Sequence, residues 1–287
     1  MPLDHLSLCT TLVVLRQDRQ PLHSGTAFFY EIPLASPAES CMLCLVTACH
    51  VLTTHVPGSS EPNRGNFIDF WIHTSADKPE LQRQCTLPLY TRNGQPTWLQ
   101  SSTCGQADIA VLPIPAGFWR DLQGVKCLGP EWIESGLRPS IAATVAVVGY
   151  PYGLEDEVNG LPVWKTGTIA SEPYVDFQGQ PMFLVDVAGF KGMSGAPVVA
   201  LPGGLCESES TRGARGLGRT WRLLGVYTAR EEHDIDMPLR IVSQSAVPGV
   251  QYPESLQLGH VWKVSLVQEI VSTLDPVRYA AEISSRT

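Results

Sequence analysis

Charged residues are scarce in this chain of 287 residues, at 17% against about 25% in an average soluble protein. Basic residues are fewer than acidic ones, with 20 Lys and Arg against 28 Asp and Glu, so the formal net charge is −8. A missing basic excess argues against a nucleic-acid backbone as the main partner. With 44% apolar residues the chain can build a buried core, which excludes disorder along its whole length.

Long apolar runs are also missing. No uninterrupted apolar stretch approaches the roughly 18 residues of a membrane span, so we expect no membrane partner. Residues 6–15 are apolar, but no basic region precedes them and no small-x-small cleavage motif follows. We therefore predict a first β-strand there rather than a signal peptide, and a soluble, cytoplasmic protein with reduced cysteines.

The eight cysteines include one pattern, Cys41-x-x-Cys44 followed by Cys49 and His50, that has the spacing of zinc ligands. The segment 41–47 is continuously apolar, however, which favours a buried strand whose residues three apart point to opposite faces. No second ligand pair at zinc-ribbon spacing occurs. We predict neither a metal site nor a cofactor.

Glycine and proline are plentiful, at 25 and 23 residues, and they are scattered rather than periodic. Frequent turns between short strands follow from this, and the fold class predicted is all-β. The predicted strands fall into two β-rich halves, residues 1–125 and 141–262, which a polar linker at 126–140 joins. The predicted strands lie at 11–15, 27–32, 41–47, 67–72, 109–114, 141–148, 167–171, 182–187, 197–201, 221–228 and 260–262.

The last segment, 263–287, changes its hydrophobic period. Leu266, Val267, Ile270 and Leu274 recur at helical spacing, so a single C-terminal helix and tail are predicted. Two other stretches, 202–220 and 230–258, are predicted loops, because the first is rich in Gly, Ser and Arg and the second contains Pro.

Three short motifs carry the candidate chemistry. An apolar strand ends at His50 in Thr-Ala-Cys-His-Val, and Asp108 stands at the head of a second apolar strand. The third motif is Gly192-Met193-Ser194-Gly195, in which glycines near the serine let backbone and substrate approach its hydroxyl closely. Each motif alone has an ordinary structural explanation, but their order is informative.

In the order His, Asp, Ser, these motifs resemble the chymotrypsin-fold, or trypsin-like, serine peptidases. The resemblance is closest to bacterial HtrA-type and related intracellular members. A PDZ-like second domain is not expected, because only 25 residues follow position 262. The further matching segments are Ser24-Gly25-Thr26-Ala27-Phe28, Gly149-Tyr150-Pro151, Asp186, and Leu224-Gly225-Val226-Tyr227-Thr228-Ala229.

The resemblance implies two six-stranded antiparallel β-barrels with a cleft between them. It implies that His50 acts as general base for the Ser194 nucleophile, that Asp108 orients the histidine, and that the N–H groups of Gly192 and Ser194 form an oxyanion hole. Thr228 matches a hydroxyl residue that supports the aspartate. The function implied is a serine endopeptidase that acts on protein or peptide substrates.

The substrate-binding residues follow from the same resemblance. Trypsin-like cleavage after Lys or Arg requires a carboxylate six residues before the serine, where this chain has Ala188, so that cleavage is disfavoured. Gly189 and Phe190 indicate an apolar P1 residue, whereas three basic side chains could instead accept an acidic one. Those three are Lys191, Arg230 and His260, and Ala229 lies on the strand expected to pair with substrate.

Activation is predicted to differ from that of secreted family members. Their new N-terminal amine pairs with an aspartate just before the serine, but here that residue is Met193, and no Ile-Val-Gly-Gly start is present. Packing or a regulatory protein partner must then hold the oxyanion loop. A partner would contact the loops 202–220 and 230–258.

Three other function classes compete with a peptidase, and one of them, a purely structural β-protein, gives no reason for these motifs to occur together. An α/β-hydrolase esterase requires Gly-x-Ser-x-Gly, but position 196 is Ala, and the later histidines His233 and His260 lie outside any strand-helix alternation. A catalytically silent binding module of the same fold is the serious alternative, although such relatives usually lose a triad residue. Reaction of Ser194 with a fluorophosphonate would discriminate between the enzyme and the binding module.

Overall fold

The computed structural model of the chain describes residues 3–33, 41–54, 65–119, 122, 125–135, 137–201, 206–208, 221–233 and 254–274. The α-helices are α1 His5–Cys9, α2 Cys49–Thr53, α3 Pro130–Ile133 and α4 Val264–Ser272. The strands are β1 Thr10–Gln17, β2 Gln20–Pro33, β3 Cys41–Thr47, β4 Phe67–His73, β5 Gln82–Pro88, β6 Ala110–Pro113, β7 Leu137–Pro139, β8 Thr144–Gly149, β9 Val163–Ile169, β10 Met182–Asp186, β11 Pro197–Ala200, β12 Cys206–Ser208, β13 Arg222–His233 and β14 Glu254–Lys263.

The strands form two antiparallel units. The first is a six-stranded sheet in the order β5-β4-β1-β2-β3-β6, and the second is a closed barrel in the order β10-β14-β13-β11-β8-β9. β7 and β12 form a separate two-stranded sheet. A bridge between Leu99 and Val111 joins the segment after β5 to β6, at the opposite edge of the first sheet. The predicted all-β architecture of two six-stranded units and a C-terminal helix is confirmed.

The hydrophobic pattern explains where the core lies. Along β1 the residues Val13 and Leu15 are buried, while their neighbours Leu12 and Val14 are partly exposed, as expected for a strand with one covered face. One apolar cluster fills the first sheet and another fills the closed barrel. A third cluster contains residues of both units and of α4, so the two units share a common core.

Some elements differ from the sequence-based prediction. Residues 6–9 are helical rather than extended, because the Asp4 side chain accepts a hydrogen bond from the Leu6 N–H and caps α1. The predicted loop 230–258 begins and ends within β13 and β14, so its ends are strands. Three strands, β5, β7 and β12, were not predicted. In β5 the first residues, Gln82, Arg83 and Gln84, are all polar, so the alternation of apolar and polar residues that predicts a strand is missing there.

Helix α4 packs its apolar face on the shared core, with Leu266, Val267 and Ile270 buried. None of the helices in the described ranges is long and apolar enough to cross a membrane. The polar side of α4 is hydrogen-bonded to the first unit. The contact joins Glu269 of α4 to Ser101, which lies 168 residues earlier in the sequence. Its carboxylate accepts hydrogen bonds from the Ser101 hydroxyl at 2.6 Å, and from the Ser102 hydroxyl at 2.8 Å and N–H at 3.0 Å.

These hydrogen bonds affect the acidity of Glu269. Partial burial raises the pKa of the carboxyl group, but the donors on Ser101 and Ser102 outweigh this effect and hold the pKa below its ordinary value of 4.5. A carboxylate with a depressed folded-state pKa stabilises the fold above its unfolded-state pKa. The stabilisation is lost as the pH falls through the folded-state pKa.

We predict that Glu269→Gln lowers the free energy of unfolding by about 1 kcal/mol at pH 7, because an amide accepts these hydrogen bonds less strongly than a carboxylate. The difference from wild type should shrink at a second, acidic pH, because the wild-type side chain becomes protonated as the pH falls through the folded-state pKa. Urea unfolding at both pH values measures it, with the exposed Glu172→Gln as control. An equal loss at both pH values would contradict the role of the charge.

Candidate active site

Strand pairing brings His50 and Asp108 together. β3 and β6 are antiparallel neighbours, and Thr47 at the end of β3 is paired with Ala110 at the start of β6. The chain that leaves β3 therefore meets the chain that enters β6 at one edge of the sheet. His50 lies there in the first turn of α2, and Asp108 lies two residues before β6.

The Asp108 carboxylate accepts two hydrogen bonds from His50. The ring Nδ1 lies 2.6 Å from Oδ2, and the backbone N–H donates to Oδ1 at 2.9 Å. Because a carboxylate accepts, the proton of a neutral imidazole belongs on Nδ1, which leaves Nε2 as a free base. Asp108 is 7% exposed, so its carboxylate is largely shielded from water, whereas His50 is partly exposed.

Two groups beside His50, the Cys49 thiol and the His23 ring, are uncharged at neutral pH. Burial, reinforced by the Asp108 carboxylate, raises the pKa of the Cys49 thiol to about 12. Burial also lowers the pKa of His23, and nearby His50 contributes to the same direction. His23 Nε2 lies 3.0 Å from the Val51 carbonyl oxygen, which suits a neutral ring that donates. A protonated Cys49 thiol does not compete as a nucleophile or add negative charge.

Ser194 lies in a tight turn between two glycines with positive φ. Gly192 has φ +91° and Gly195 has φ +92°, a region that residues with a Cβ adopt at a cost. A Cβ at Gly192 would lie 2.9 Å from the Tyr152 nitrogen, and one at Gly195 would lie 3.0 Å from the Ala48 nitrogen. The turn is therefore possible only because both positions are glycine.

The peptide groups of this turn have a defined orientation. The Lys191 carbonyl accepts a hydrogen bond from the Tyr152 N–H at 2.6 Å. Since C=O and N–H point in opposite directions across a trans peptide, the Gly192 N–H points away from Tyr152. Within the described ranges, neither this N–H nor that of Ser194 donates a hydrogen bond to another group. Two donors beside the serine are thus uncommitted.

Thr26 of β2 fixes the turn from the other unit. Its N–H donates to the Ser194 carbonyl at 2.9 Å, and its hydroxyl donates to the Gly192 carbonyl at 2.7 Å. The same hydroxyl accepts from the Tyr150 N–H at 3.0 Å, while the Thr26 carbonyl accepts from the Thr47 hydroxyl at 2.7 Å. Thr26 is completely buried, so these four bonds compete little with water.

The Ser194 hydroxyl donates to the Thr228 carbonyl, with Oγ and O 2.5 Å apart. It does not donate to His50 in this structure. Rotation about the Cα–Cβ bond is the movement that would redirect the hydroxyl. The Thr228 side chain, predicted to support Asp108, is buried.

The segment before the serine supplies the other predicted substrate-binding residues. Ala188 is half-buried and Gly189 is buried. Phe190 is 40% exposed, and its ring lies 5.9 Å from the Tyr152 ring and 4.9 Å from Lys165 Nζ. Lys191 is exposed.

The remaining predicted substrate-binding residues lie on two paired strands. Ala229 on β13 is opposite His260 on β14, and Arg230 is opposite Gly259. The His260 side chain is half-buried. For Ala229 and Arg230 the structure describes the backbone.

Sequence reasoning missed three residues near Ser194. The Ser-Gly-Thr motif was noted, but nothing local indicates that the Thr26 hydroxyl bonds a residue 166 positions away. The sequence also predicts no role for Tyr152 or for Tyr227, which lies in the matching segment 224–229, because their contacts with residues 189–191 form only in the folded chain. Around Cys41 and Cys44, and elsewhere in the described ranges, no group of three or more potential ligands is placed to hold a metal ion.

A sequence profile described as the trypsin-like peptidase domain matches residues 25–205. The match covers more than half of the chain, and it includes the segments of His50, Asp108 and Ser194. The chain belongs to the trypsin-like peptidase family. A search of curated proteins finds no match.

Solved structures with a similar fold include several serine proteases. A serine endoprotease from Yersinia pestis has 15% identity and a TM-score of 0.48, over 95% of this chain and 66% of that chain. The thermostable protease AL20 from an extremophilic microorganism has 12% identity and a TM-score of 0.48, over 95% and 100%. An inactivated protease paralogue of the scabies mite has 17% identity and a TM-score of 0.46, over 94% and 97%. Our chain thus spans about two thirds of the Yersinia pestis chain.

We predict that Thr26→Val lowers the free energy of unfolding by about 1 to 3 kcal/mol, because it leaves the Gly192 carbonyl and Tyr150 N–H without a partner. Thr26→Ser is the matched control, since it keeps the hydroxyl and loses one buried methyl, about 0.8 kcal/mol. Urea unfolding of the three proteins measures the difference. A valine variant at least as stable as the serine variant would contradict the role of the hydroxyl.

Proposed function

We propose that this protein is a serine endopeptidase that hydrolyses peptide bonds through His50, Asp108 and Ser194. The observation that supports the proposal is the double hydrogen bond from His50 to Asp108, an arrangement that favours the imidazole tautomer with its proton on Nδ1 and with Nε2 available as a base. A serine hydroxyl is a weak nucleophile at neutral pH and needs such a base. The substrates are proteins or peptides, and the reaction uses no metal or organic cofactor.

In the proposed first step, the Ser194 hydroxyl turns from the Thr228 carbonyl toward His50. Oγ attacks the carbonyl carbon of the substrate while Nε2 removes its proton. Asp108 stabilises the resulting imidazolium through the bond to Nδ1. The imidazolium then gives its proton to the leaving amine, and an acyl-enzyme remains.

A water molecule completes the cycle by the same route. His50 removes a proton from the water as it attacks the acyl carbon, and the proton returns to Ser194 as the ester breaks. In both steps the oxygen of the tetrahedral intermediate carries negative charge. The uncommitted N–H groups of Gly192 and Ser194 are the donors proposed to stabilise it, and one such donor is typically worth about 3 to 4 kcal/mol.

A catalytically silent binding module remains the second candidate. It is favoured by the hydrogen bond from the Ser194 hydroxyl to Thr228, because a serine held in that position is not aligned with its base. Substrate binding distinguishes the two functions poorly, since both would bind peptides. Covalent chemistry at Ser194 separates them.

We predict that the protein reacts with a fluorophosphonate at Ser194 and cleaves peptides in the presence of a chelator. Ser194→Ala should abolish labelling and cleavage, and His50→Ala should lower both by several orders of magnitude. Both residues are partly exposed rather than part of the core, so circular dichroism and urea unfolding should show intact folds. Unchanged hydrolysis by Ser194→Ala, or loss of activity with the chelator, would overturn the mechanism.

The oxyanion loop is proposed to need no N-terminal amine. Met193 is completely buried in the core of the closed barrel and cannot form an ion pair. The loop is instead held by this packing and by Thr26. A regulatory partner, if one acts on the enzyme, would contact the segments 202–220 and 230–258. Of these segments, the structure describes only residues 206–208, 230–233 and 254–258.

We predict that an N-terminal fusion, in which Met1 is joined to a linker, reacts with a fluorophosphonate as fast as the untagged chain. The reason is that Met193 offers no charge for a released amine. Second-order labelling rates of the two proteins measure this. A protein that reacts only after proteolytic trimming near residue 20 would show that an N-terminal amine is required.

A further inference from the structure

Tyr227 is a large, buried side chain beside the segment that leads to Ser194. It is the residue before Thr228 on β13, and its side chain belongs to the core of the closed barrel with 2% exposure. Val187 and Met193, from the chain around the serine, belong to the same core cluster. Tyr227 therefore packs beside the Ser194 loop rather than on the outer surface of the barrel.

Two glycines make room for the Tyr227 ring. A Cβ at Gly189 would collide with the phenol oxygen and lie 2.8 Å from Cζ. A Cβ at Gly259 would collide with Cε2 and lie 2.9 Å from Cζ. Gly189 precedes the serine by five residues and Gly259 lies on β14, so the ring spans the gap between these two walls.

The backbone holds Tyr227 in this position. Its N–H donates to the Ala196 carbonyl at 2.9 Å, and its carbonyl accepts from the Gly195 N–H at 2.6 Å. A swing of the ring out of the gap would expose a large apolar surface, which is unfavourable. The ring is thus a fixed part of the site.

The position of a bound P1 residue follows from the proposed function, on which this inference rests. Its carbonyl carbon must reach Ser194 Oγ, and its oxygen must reach the N–H groups of Gly192 and Ser194. The Thr228 carbonyl lies 2.5 Å from Oγ, so it is a backbone acceptor that the P1 N–H can reach. The P1 side chain then enters between the segment 188–192 and the strands β13 and β14.

We propose that Tyr227 restricts P1 to small uncharged residues, namely Gly, Ala and Ser. The gap between Gly189 and Gly259 that would take a longer side chain is filled by the phenol ring. At the proposed floor, Ala188 carries no charge to attract Lys or Arg. A misfit of one methylene in such a pocket is typically worth about 10- to 200-fold in kcat/KM. The sequence favours an apolar P1 residue, and the position of Tyr227 adds the requirement that its side chain be small.

The test compares peptides that differ only at P1, with Ala, Leu, Phe, Arg and Glu, using the full chain. Wild type should cleave the Ala peptide at least about tenfold faster than each of the others. Tyr227→Val should raise the ratio of kcat/KM for Leu over Ala by about tenfold or more. Tyr227→Phe, which keeps the ring, should retain the wild-type profile. Phe183→Val, another loss of a buried ring from the same core, should also retain it.

The outcomes separate this inference from the proposed function. A protein that does not react with a fluorophosphonate at Ser194 refutes the peptidase itself. A protein that reacts but prefers Leu, Phe, Arg or Glu at P1 refutes the role of Tyr227 alone. If Tyr227→Val folds and keeps the wild-type profile, the role of Tyr227 is refuted as well; if it fails to fold, a wild-type preference for a larger or charged P1 residue still refutes that role. If Phe183→Val shifts the profile as strongly as Tyr227→Val, general loosening of the core explains the change, and the role of Tyr227 is refuted.

Discussion

The hydrogen bonds of Thr26 are the interaction on which the candidate site depends. Through them a residue of the first sheet holds two carbonyls of the serine turn, one on each side of Met193. Because Thr47, at the end of β3, donates to the Thr26 carbonyl, the strand that leads to His50 joins the same network. His50 and Ser194, the proposed base and nucleophile, come from different units, and this network links the segments that carry them. Burial makes each bond costly to lose.

This arrangement replaces an ion pair with packing and neutral hydrogen bonds. A buried ion pair carries a desolvation cost and depends on pH, whereas the Met193 side chain and the Thr26 hydroxyl carry no charge. Two groups next to His50 are uncharged as well. The pKa of the Cys49 thiol is raised and the pKa of the His23 ring is lowered, so both are neutral at pH 7. The Asp108 carboxylate, by contrast, contacts His50 directly and accepts two hydrogen bonds from it.

The sequence predicted best those features that have a local pattern. His50 and Asp108 stand at the ends of apolar strands, and pairing of those strands is enough to bring them together. The fold class and α4 also follow from hydrophobic periodicity. Thr26 and Tyr227 could not be found in this way, because a threonine or tyrosine in a strand is ordinary. Their significance comes from Gly192, Gly189 and other residues that meet them only after folding.

The contact between α4 and the first sheet has a consequence for synthesis on the ribosome. Ser101, in the segment that leads to Asp108, finds its acceptor in Glu269, which is translated 168 residues later. At about 5 to 20 residues per second, the gap is on the order of ten seconds or more. The segment before Asp108 thus stays without its final support until translation passes α4. A nascent chain that has already made His50, Asp108 and Ser194 still lacks this last contact.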